Sequence, residues 1–286
     1  MSIIQGASRF TERKEFEIGG LVQMRLRQLK SPMPSRYYDD IVIADVFSGA
    51  GENVISGKDD PIDGSPLRLL WALQTATQTK SGPSIMGLAG KSVRLFFSDI
   101  RADAIARLNN LISDRWTPIS GLDTHINTTT LPASRAIQLL HNTLTESPKT
   151  HLILVLDPNG PKDFPRDEVL AMLDQHSRRI DLVPYISATA VNRCLQHRNQ
   201  CGAKYDSWWL SSVDRFDTGF IHAISRNRHG WIREPIHGDP QRWLMLPTFA
   251  PQLTPRNDWA KQGYVEINSE RGQAAIATYA GIKEAA

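Results

Sequence analysis

Ile41-Val-Ile-Ala-Asp-Val-Phe-Ser-Gly-Ala-Gly51 begins with an almost continuously apolar run and ends in a turn that contains two glycines. An apolar run of this length is typical of a strand that is covered on both faces of a sheet. Gly49 and Gly51 can adopt backbone conformations that a β-carbon disfavours. The stretch therefore predicts a buried strand of a parallel sheet, followed by a turn close to a ligand.

Strands and helices are predicted to alternate downstream of this stretch. Further strands are predicted at 92–97, 151–156 and 180–186, and helices from Ser65-Pro66 and over 100–112, 133–144, 168–173 and 188–197. Alternation of this kind is typical of helices packed on a parallel sheet. We therefore predict an α/β fold with a doubly wound, mostly parallel, Rossmann-like sheet.

The regions that flank this alternation differ from it in composition. Residues 1–34 predict a helical extension that Gly19-Gly20 would bend or break. The predicted core covers residues 35–205. Residues 206–286 are aromatic and rich in glycine and proline, which suits antiparallel strands and long loops. This last region would either complete the sheet or recognise a target.

Composition excludes several classes of protein. Lys and Arg number 33 against 30 Asp and Glu, which gives a net charge of +3. A protein that coats nucleic acid through charge alone would be far more basic. Two cysteines, Cys194 and Cys201, exclude a disulfide scaffold and suit a reducing compartment. The sequence has no long apolar run and no apolar segment near its start. We therefore expect a cytoplasmic protein with no membrane partner and no metal site.

Polar residues follow three of the predicted strands, where doubly wound sheets bind their ligands. The first strand ends at Asp45 and the glycine turn (residues 48–51). Asp99 follows the second strand, at the position where such folds hold a ribose. The third set, Asp157-Pro158-Asn159, follows the strand at 151–156 and would meet the substrate.

The cofactor that suits this turn lacks phosphates. A dinucleotide fingerprint requires a third glycine where Val54 stands. A long polar segment, 52–64, separates the turn from the next helix, so no helix N-terminus is expected there to bind a phosphate. S-adenosylmethionine fits these features, whereas a nicotinamide oxidoreductase is disfavoured.

These motifs resemble those of the three-Cys-motif partner family, which has the fold of class I S-adenosylmethionine-dependent methyltransferases. The similarity covers about residues 14–190 and includes the glycine turn, Gly64-Ser-Pro-Leu67 and Leu156-Asp-Pro-Asn-Gly160. It implies that the chain is a methyltransferase with Asp157, Pro158 and Asn159 at the methyl acceptor. The cofactor-binding residues that we expect are Asp45, Phe47, Ser48, Gly49, Gly51, Asp99 and Ile100.

Asn159 departs from the family pattern, which usually has an aromatic residue there. In related amino-group methyltransferases that aromatic ring stacks on a flipped base. Asn159 can form hydrogen bonds but cannot stack. Stacking would then fall to Phe164, Phe47 or Tyr185, or would not occur.

Arginines alternate with aromatic residues over 215–243, a pattern typical of surfaces that bind single strands or flipped bases. We therefore expect nucleic acid as the partner and a base amino group as the methyl acceptor, with adenine in DNA ahead of RNA. The alternatives are methylation of a small molecule or protein, and a non-catalytic partner or defence-system module. The residues expected to contact nucleic acid are Phe164, Arg226, Arg228, Trp231 and Arg233.

Overall fold

The computed structural model of the protein divides into two compact units, Met1–Val155 and Leu156–Ala286. Both predicted domain boundaries, 34/35 and 205/206, lie outside the described residues. Within the described residues, no helix has the length and apolar character that a membrane span requires. The structure describes residues 6–7, 9–30, 37–55, 60–79, 82–83, 85, 87–158, 163–186, 224, 229–235, 244–245, 248–249 and 263–279.

Among the described residues, the first unit contains four helices and most of the strands. Its helices are α1 (Arg9–Leu29), α2 (Ser65–Ala76), α3 (Ala102–Arg115) and α4 (Ala133–Glu146). Its strands are β1 (Gly6–Ala7), β2 (Asp40–Asp45), β3 (Glu52–Ile55), β4 (Ile62–Asp63), β5 (Gln78–Thr79), β6 (Gly82–Pro83), β7 (Ser92–Asp99), β8 (Asp123–Thr130) and β9 (Thr150–Leu156), whose last residue opens the second unit.

The main sheet of the first unit has the parallel strand order β9-β2-β7-β8. The buried Ile43 of β2 is in register with Leu95 of β7 on one side and Ile153 of β9 on the other. The chain passes from β2 outward to β7 and β8, and then returns to add β9 on the opposite side of β2. This reversal makes the sheet doubly wound. The predicted α/β fold with a mostly parallel sheet is confirmed.

Helix α1 is continuous, and the prediction that Gly19-Gly20 interrupts it is wrong. The reason lies in the packing of α1 on α2. A β-carbon at Gly19 would lie 3.2 Å from Arg68 Cβ and 3.3 Å from the Arg68 carbonyl oxygen. Gly19 therefore allows the two helices to approach closely, and this tertiary contact outweighs its low helix propensity.

The sequence predicts a polar loop between the glycine turn and α2, but the described residues of this segment include two strands. Strands β3 and β4 pair as an antiparallel hairpin, and β1 pairs with β3 in parallel. The Gly64 amide donates a hydrogen bond of 2.8 Å to the Gly51 carbonyl oxygen. This bond brings the two ends of the hairpin together, so α2 begins next to the turn.

Strand β8 is not predicted from the sequence. It pairs with β7 over its whole length, from Ser92↔Asp123 to Asp99↔Thr130. Its residues, Asp-Thr-His-Ile-Asn-Thr-Thr-Thr, are exposed or half-buried. A strand so polar has no apolar periodicity, although its threonines favour extended backbone.

The second unit combines helices with short antiparallel strands. Strand β11 is antiparallel to both β13 and β14, as the composition of this region predicts. Helix α6 is not predicted, and its N-terminus is capped by Ser269, whose Oγ accepts from the Gly272 amide. The predicted helix 188–197 lies outside the described residues. The elements are α5 (Arg166–His176), a 3-10 helix (Ser177–Arg179), β10 (Ile180–Ile186), β11 (His229–Arg233), β12 (Leu244–Met245), β13 (Thr248–Phe249), β14 (Tyr264–Glu266) and α6 (Glu270–Tyr279).

Candidate functional site

The candidate site lies in the first unit, at the carboxyl ends of β2 and β7. The strand order reverses at β2, because β7 and β9 lie on opposite sides of it. Open α/β sheets bind ligands in the crevice at such a point. The glycine turn follows β2 directly, and Ile100 follows β7.

Asp45 determines how the chain leaves β2. Its carboxylate is fully buried, and Oδ1 accepts a hydrogen bond of 2.9 Å from the Phe47 amide. A short acidic side chain that bonds to a backbone amide two residues later stabilises a turn. Asp45 therefore shapes the approach to the glycine turn, and Phe47 is half-buried beside it.

Asp99 joins the two strand ends. Its Oδ2 accepts from the Gly49 amide at 3.0 Å, and its Oδ1 accepts from the Arg101 amide at 2.8 Å. The Arg101 guanidinium Nε is a further 3.4 Å from Oδ1. The N-cap of α3 is Arg101, so the bond from Asp99 Oδ1 reaches the N-cap amide and not the amides of the first helical turn. A carboxylate has about four lone-pair sites, which leaves acceptor capacity beside the turn.

Two features of the turn suit a ligand that contains a nucleoside. Gly49 has φ 58°, and a β-carbon built there would have no neighbour within 4 Å among the residues that the structure describes, so these residues leave that side of the turn open. Ser48 is 4% exposed, and within the described part of the chain no group hydrogen-bonds to its Oγ. A buried hydroxyl of this kind requires a partner from a ligand or from water.

Gly51 serves a different purpose from Gly49. It has φ 83°, and a β-carbon there would lie 2.8 Å from Leu108 Cδ1 and 3.3 Å from Leu111 Cδ1. The side of the turn at Gly51 is therefore occupied by α3. Gly51 allows the turn to pack on this helix, whereas Gly49 leaves room for a ligand.

Ile100 provides an apolar surface next to Asp99. Ile100 is 71% exposed. Apolar side chains together with a few polar groups are typical of ligand sites. Asp99 and Ile100 are consecutive in the chain.

Helix α2 begins close to the glycine turn, because Gly64, its N-cap, is hydrogen-bonded to Gly51. The first turn of α2 nevertheless offers little to an anion. Ser65, Pro66 and Leu67 are all buried, and Pro66 has no amide hydrogen.

The expected substrate residues belong to the second unit. Asp157 and Pro158 are half-buried, whereas Asn159, Arg226 and Arg228 lie outside the described residues. Phe164 is 6% exposed and Trp231 8% exposed, so neither ring is presented for stacking on a base. The Arg233 guanidinium lies 5.4 Å from the centre of the Tyr264 ring, in a cation–π contact.

A group of charged residues at the end of the glycine turn is not predicted from the sequence. Glu52 is buried, and its Oε2 is 2.6 Å from Arg107 Nη2, while Oε1 bonds to Arg115 Nη2. Arg115 Nη1 also lies 3.0 Å from Asp63 Oδ1. The only sequence signal was the position of an acid directly after the last glycine. No set of three or more His, Cys, Asp or Glu side chains among the described residues could hold a metal ion.

Comparison with known proteins gives no family. No protein-family profile and no curated protein sequence matches this chain. Structures with low similarity include an rRNA methylase from Streptococcus thermophilus, with 8% identity, a TM-score of 0.34, and coverage of 76% of this chain and 92% of that chain. A DUF574 family protein from Streptomyces avermitilis has 10% identity, a TM-score of 0.40, and coverage of 82% and 83%.

The plantazolicin methyltransferase BamL, in complex with a triazolic desmethylPZN analogue and SAH, has 10% identity and a TM-score of 0.37. The similarity covers 96% of this chain and 80% of that chain. Similarities this low identify neither a family nor a ligand. The assignment of the fold rests on the strand order and register of the first unit.

Proposed function

We propose that this chain is an S-adenosylmethionine-dependent methyltransferase, with the cofactor bound at the glycine turn and Asp99. The observation that carries the proposal is the hydrogen bond from the Gly49 amide to Asp99, next to the open face of Gly49. This bond holds together the two parts of a doubly wound sheet that bind a nucleoside. The sequence motifs support the same activity, and membership of the three-Cys-motif partner family is part of the proposal.

The residues present fit such a cofactor. The acceptor site that remains on Asp99 suits a ribose hydroxyl, and the exposed Ile100 side chain suits the face of an adenine ring. The buried Ser48 hydroxyl suits a polar atom of the ligand. When bound, S-adenosylmethionine supplies an electrophilic methyl group on a positively charged sulfur.

A dinucleotide fits the turn less well. Val54, which replaces the third glycine of the fingerprint, lies in β3 rather than in a helix. The helix that begins next to Gly51 has a proline in its first turn and buried residues around it. A pyrophosphate requires exposed amides at a helix N-terminus.

For the methyl acceptor we propose an amino group of a nucleic acid base. Asp157 and Pro158 support this, because a carboxylate that accepts from an amine leaves the lone pair of that amine available for attack. Methyl transfer from a sulfonium requires positioning more than acid–base catalysis. Because Phe164 is buried, Phe47 and Tyr185 are the remaining described candidates for stacking, and both are half-buried.

Calorimetric titration tests the cofactor. We expect S-adenosylmethionine and S-adenosylhomocysteine to bind in the micromolar range and NAD not to bind. Binding of NAD alone would indicate an oxidoreductase, and binding of none of the three would favour a non-catalytic module; either result contradicts the proposal.

Transfer of a labelled methyl group to DNA and to RNA tests the acceptor. Asp157→Ala should bind the cofactor normally and lose transfer, with the exposed Asp163→Ala as the matched control. Cofactor binding without transfer to either polymer would favour a small-molecule or protein acceptor. Retained transfer by Asp157→Ala would remove Asp157 from the reaction.

A further inference from the structure

Glu52 is a buried carboxylate that binds two arginines of one helix. Arg107 and Arg115 are eight residues apart on α3, just over two turns, and each bonds to a different oxygen of Glu52. The carboxylate is almost fully buried, while Arg107 and Arg115 are partly exposed. The backbone at Glu52 is therefore fixed against α3 by charge on both oxygens.

Glu52 directly follows the glycine turn, so its ion pairs attach that end of the turn to α3. Gly51, immediately before it, is pressed against Leu108 and Leu111 of the same helix. The other part of the turn is held at Gly49, through the amide that bonds to Asp99. Asp99 lies three residues before α3, so α3 is connected to both attachments of the turn.

A role in stability alone explains this arrangement poorly. Burial of a carboxylate removes its hydration, and an ion pair seldom compensates for this better than well-packed apolar residues of similar volume would. Glu52 instead bonds to a different arginine through each of its carboxylate oxygens. Charge-assisted hydrogen bonds are short and strong, so the two together fix the position of this carboxylate.

We propose that Glu52 is a positioning residue for the cofactor site: its ion pairs with Arg107 and Arg115 hold the glycine turn where the Gly49 amide reaches Asp99. The inference rests on the proposed function for its ligand, although the positioning itself concerns only the protein. Glu52 acts through the turn and does not contact the ligand.

The first test is the affinity of Glu52→Gln for S-adenosylhomocysteine, measured by calorimetry on the full chain. The amide keeps the size of the side chain and removes its charge. We expect affinity to fall about tenfold, within the range of coupling between neighbouring residues. Glu234→Gln is the matched control, because it removes a two-bond pair with Arg271 in the second unit and should leave affinity unchanged.

A second measurement separates positioning from general destabilisation. Hydrogen exchange of the Gly49 amide should be faster in Glu52→Gln, while amides of the buried strand β9 exchange as in the wild type. If exchange accelerates equally in both places, or the folded variant keeps wild-type affinity, the proposal is wrong.

The proposal can also be tested if Glu52→Gln does not fold, or if the wild type binds no cofactor. If Glu52→Gln does not fold, Arg107→Gln replaces it, since Arg115 still bonds to Glu52; unchanged affinity of that variant overturns the proposal. If the wild type binds no cofactor, the proposed function fails, and exchange at Gly49 alone then supports or overturns the positioning role.

Discussion

Gly49 and Asp99 are 50 positions apart in the chain, and the amide of one donates to the carboxylate of the other at 3.0 Å. This bond connects the turn after β2 with the end of β7. It also orients the acceptor site that remains on the Asp99 carboxylate. The proposed cofactor site therefore depends on a contact between the turn that follows one strand and the last residue of another.

Replacement of Asp99 by alanine should weaken S-adenosylmethionine binding by roughly tenfold or more, because hydrogen bonds to a charged group contribute about 1.5–3 kcal/mol each. Calorimetry measures the change. Asp103→Ala is the control, since Asp103 is an exposed acid on the first turn of α3 whose carboxylate accepts only from the adjacent Ala104 amide among the contacts described. Unchanged affinity in Asp99→Ala would exclude Asp99 from the site.

The two glycines of the turn should respond differently to alanine. Gly51→Ala combines an unfavourable φ with a contact of 2.8 Å to Leu108, and we expect a loss of about 2–4 kcal/mol in the free energy of unfolding. Gly49→Ala meets no neighbour and should lose only about 1 kcal/mol, from its φ. Urea unfolding of both variants measures the difference, and equal losses would contradict the packing of Gly51 on α3.

Gly19 and Gly20 provide a similar comparison within α1. A β-carbon at Gly20 meets nothing within 4 Å, so Gly20→Ala should stabilise the protein by about 0.5–1 kcal/mol through helix propensity. Gly19→Ala has the same gain in propensity but forces α2 away at Arg68. Its melting temperature should therefore be lower than that of Gly20→Ala, and the reverse order would show that the helices can separate without loss.

Ser48→Ala should affect stability and binding in opposite ways. Without ligand, the variant should be as stable as the wild type or more stable, because it removes a buried hydroxyl for which the described residues supply no partner. Affinity for S-adenosylhomocysteine should fall roughly two- to tenfold, the equivalent of one neutral hydrogen bond. A less stable variant with normal affinity would mean that Ser48 bonds within the protein.

The sequence predicts the strand β2 and the acids at the strand ends because both leave local patterns. An apolar run followed by two glycines is visible without any knowledge of the fold, and Asp99 follows a second run of the same kind. Strand β8 leaves no such pattern, because its side chains are polar and largely exposed. The continuity of α1 depends on its contact with α2, and propensity at Gly19 cannot report that contact.

The ion pairs of Glu52 with Arg107 and Arg115 also could not be predicted from the sequence. Glu52 is 55 positions from Arg107 and 63 from Arg115, and no local spacing relates them. Other arginines of the sequence could have been assigned to Glu52 with equal reason. Only the packing of the β3–β4 hairpin on α3 selects these two. Residues such as Glu52 can therefore be recognised only from the packed structure, whereas the acids that follow a strand can be recognised from the sequence.

The register of β2 has a consequence for how the chain folds during synthesis. Its partner on one side, β7, follows about fifty residues later, but Thr150 of β9, which pairs with Asp40 on the other side, is 110 residues away. Until Thr150 and the rest of β9 leave the ribosome, one edge of β2, a strand with an apolar centre, has no partner. Contacts so distant in sequence slow folding and expose nascent chains to aggregation. We expect the yield of folded protein to depend on chaperones and on temperature, most strongly during synthesis of the residues between β2 and β9.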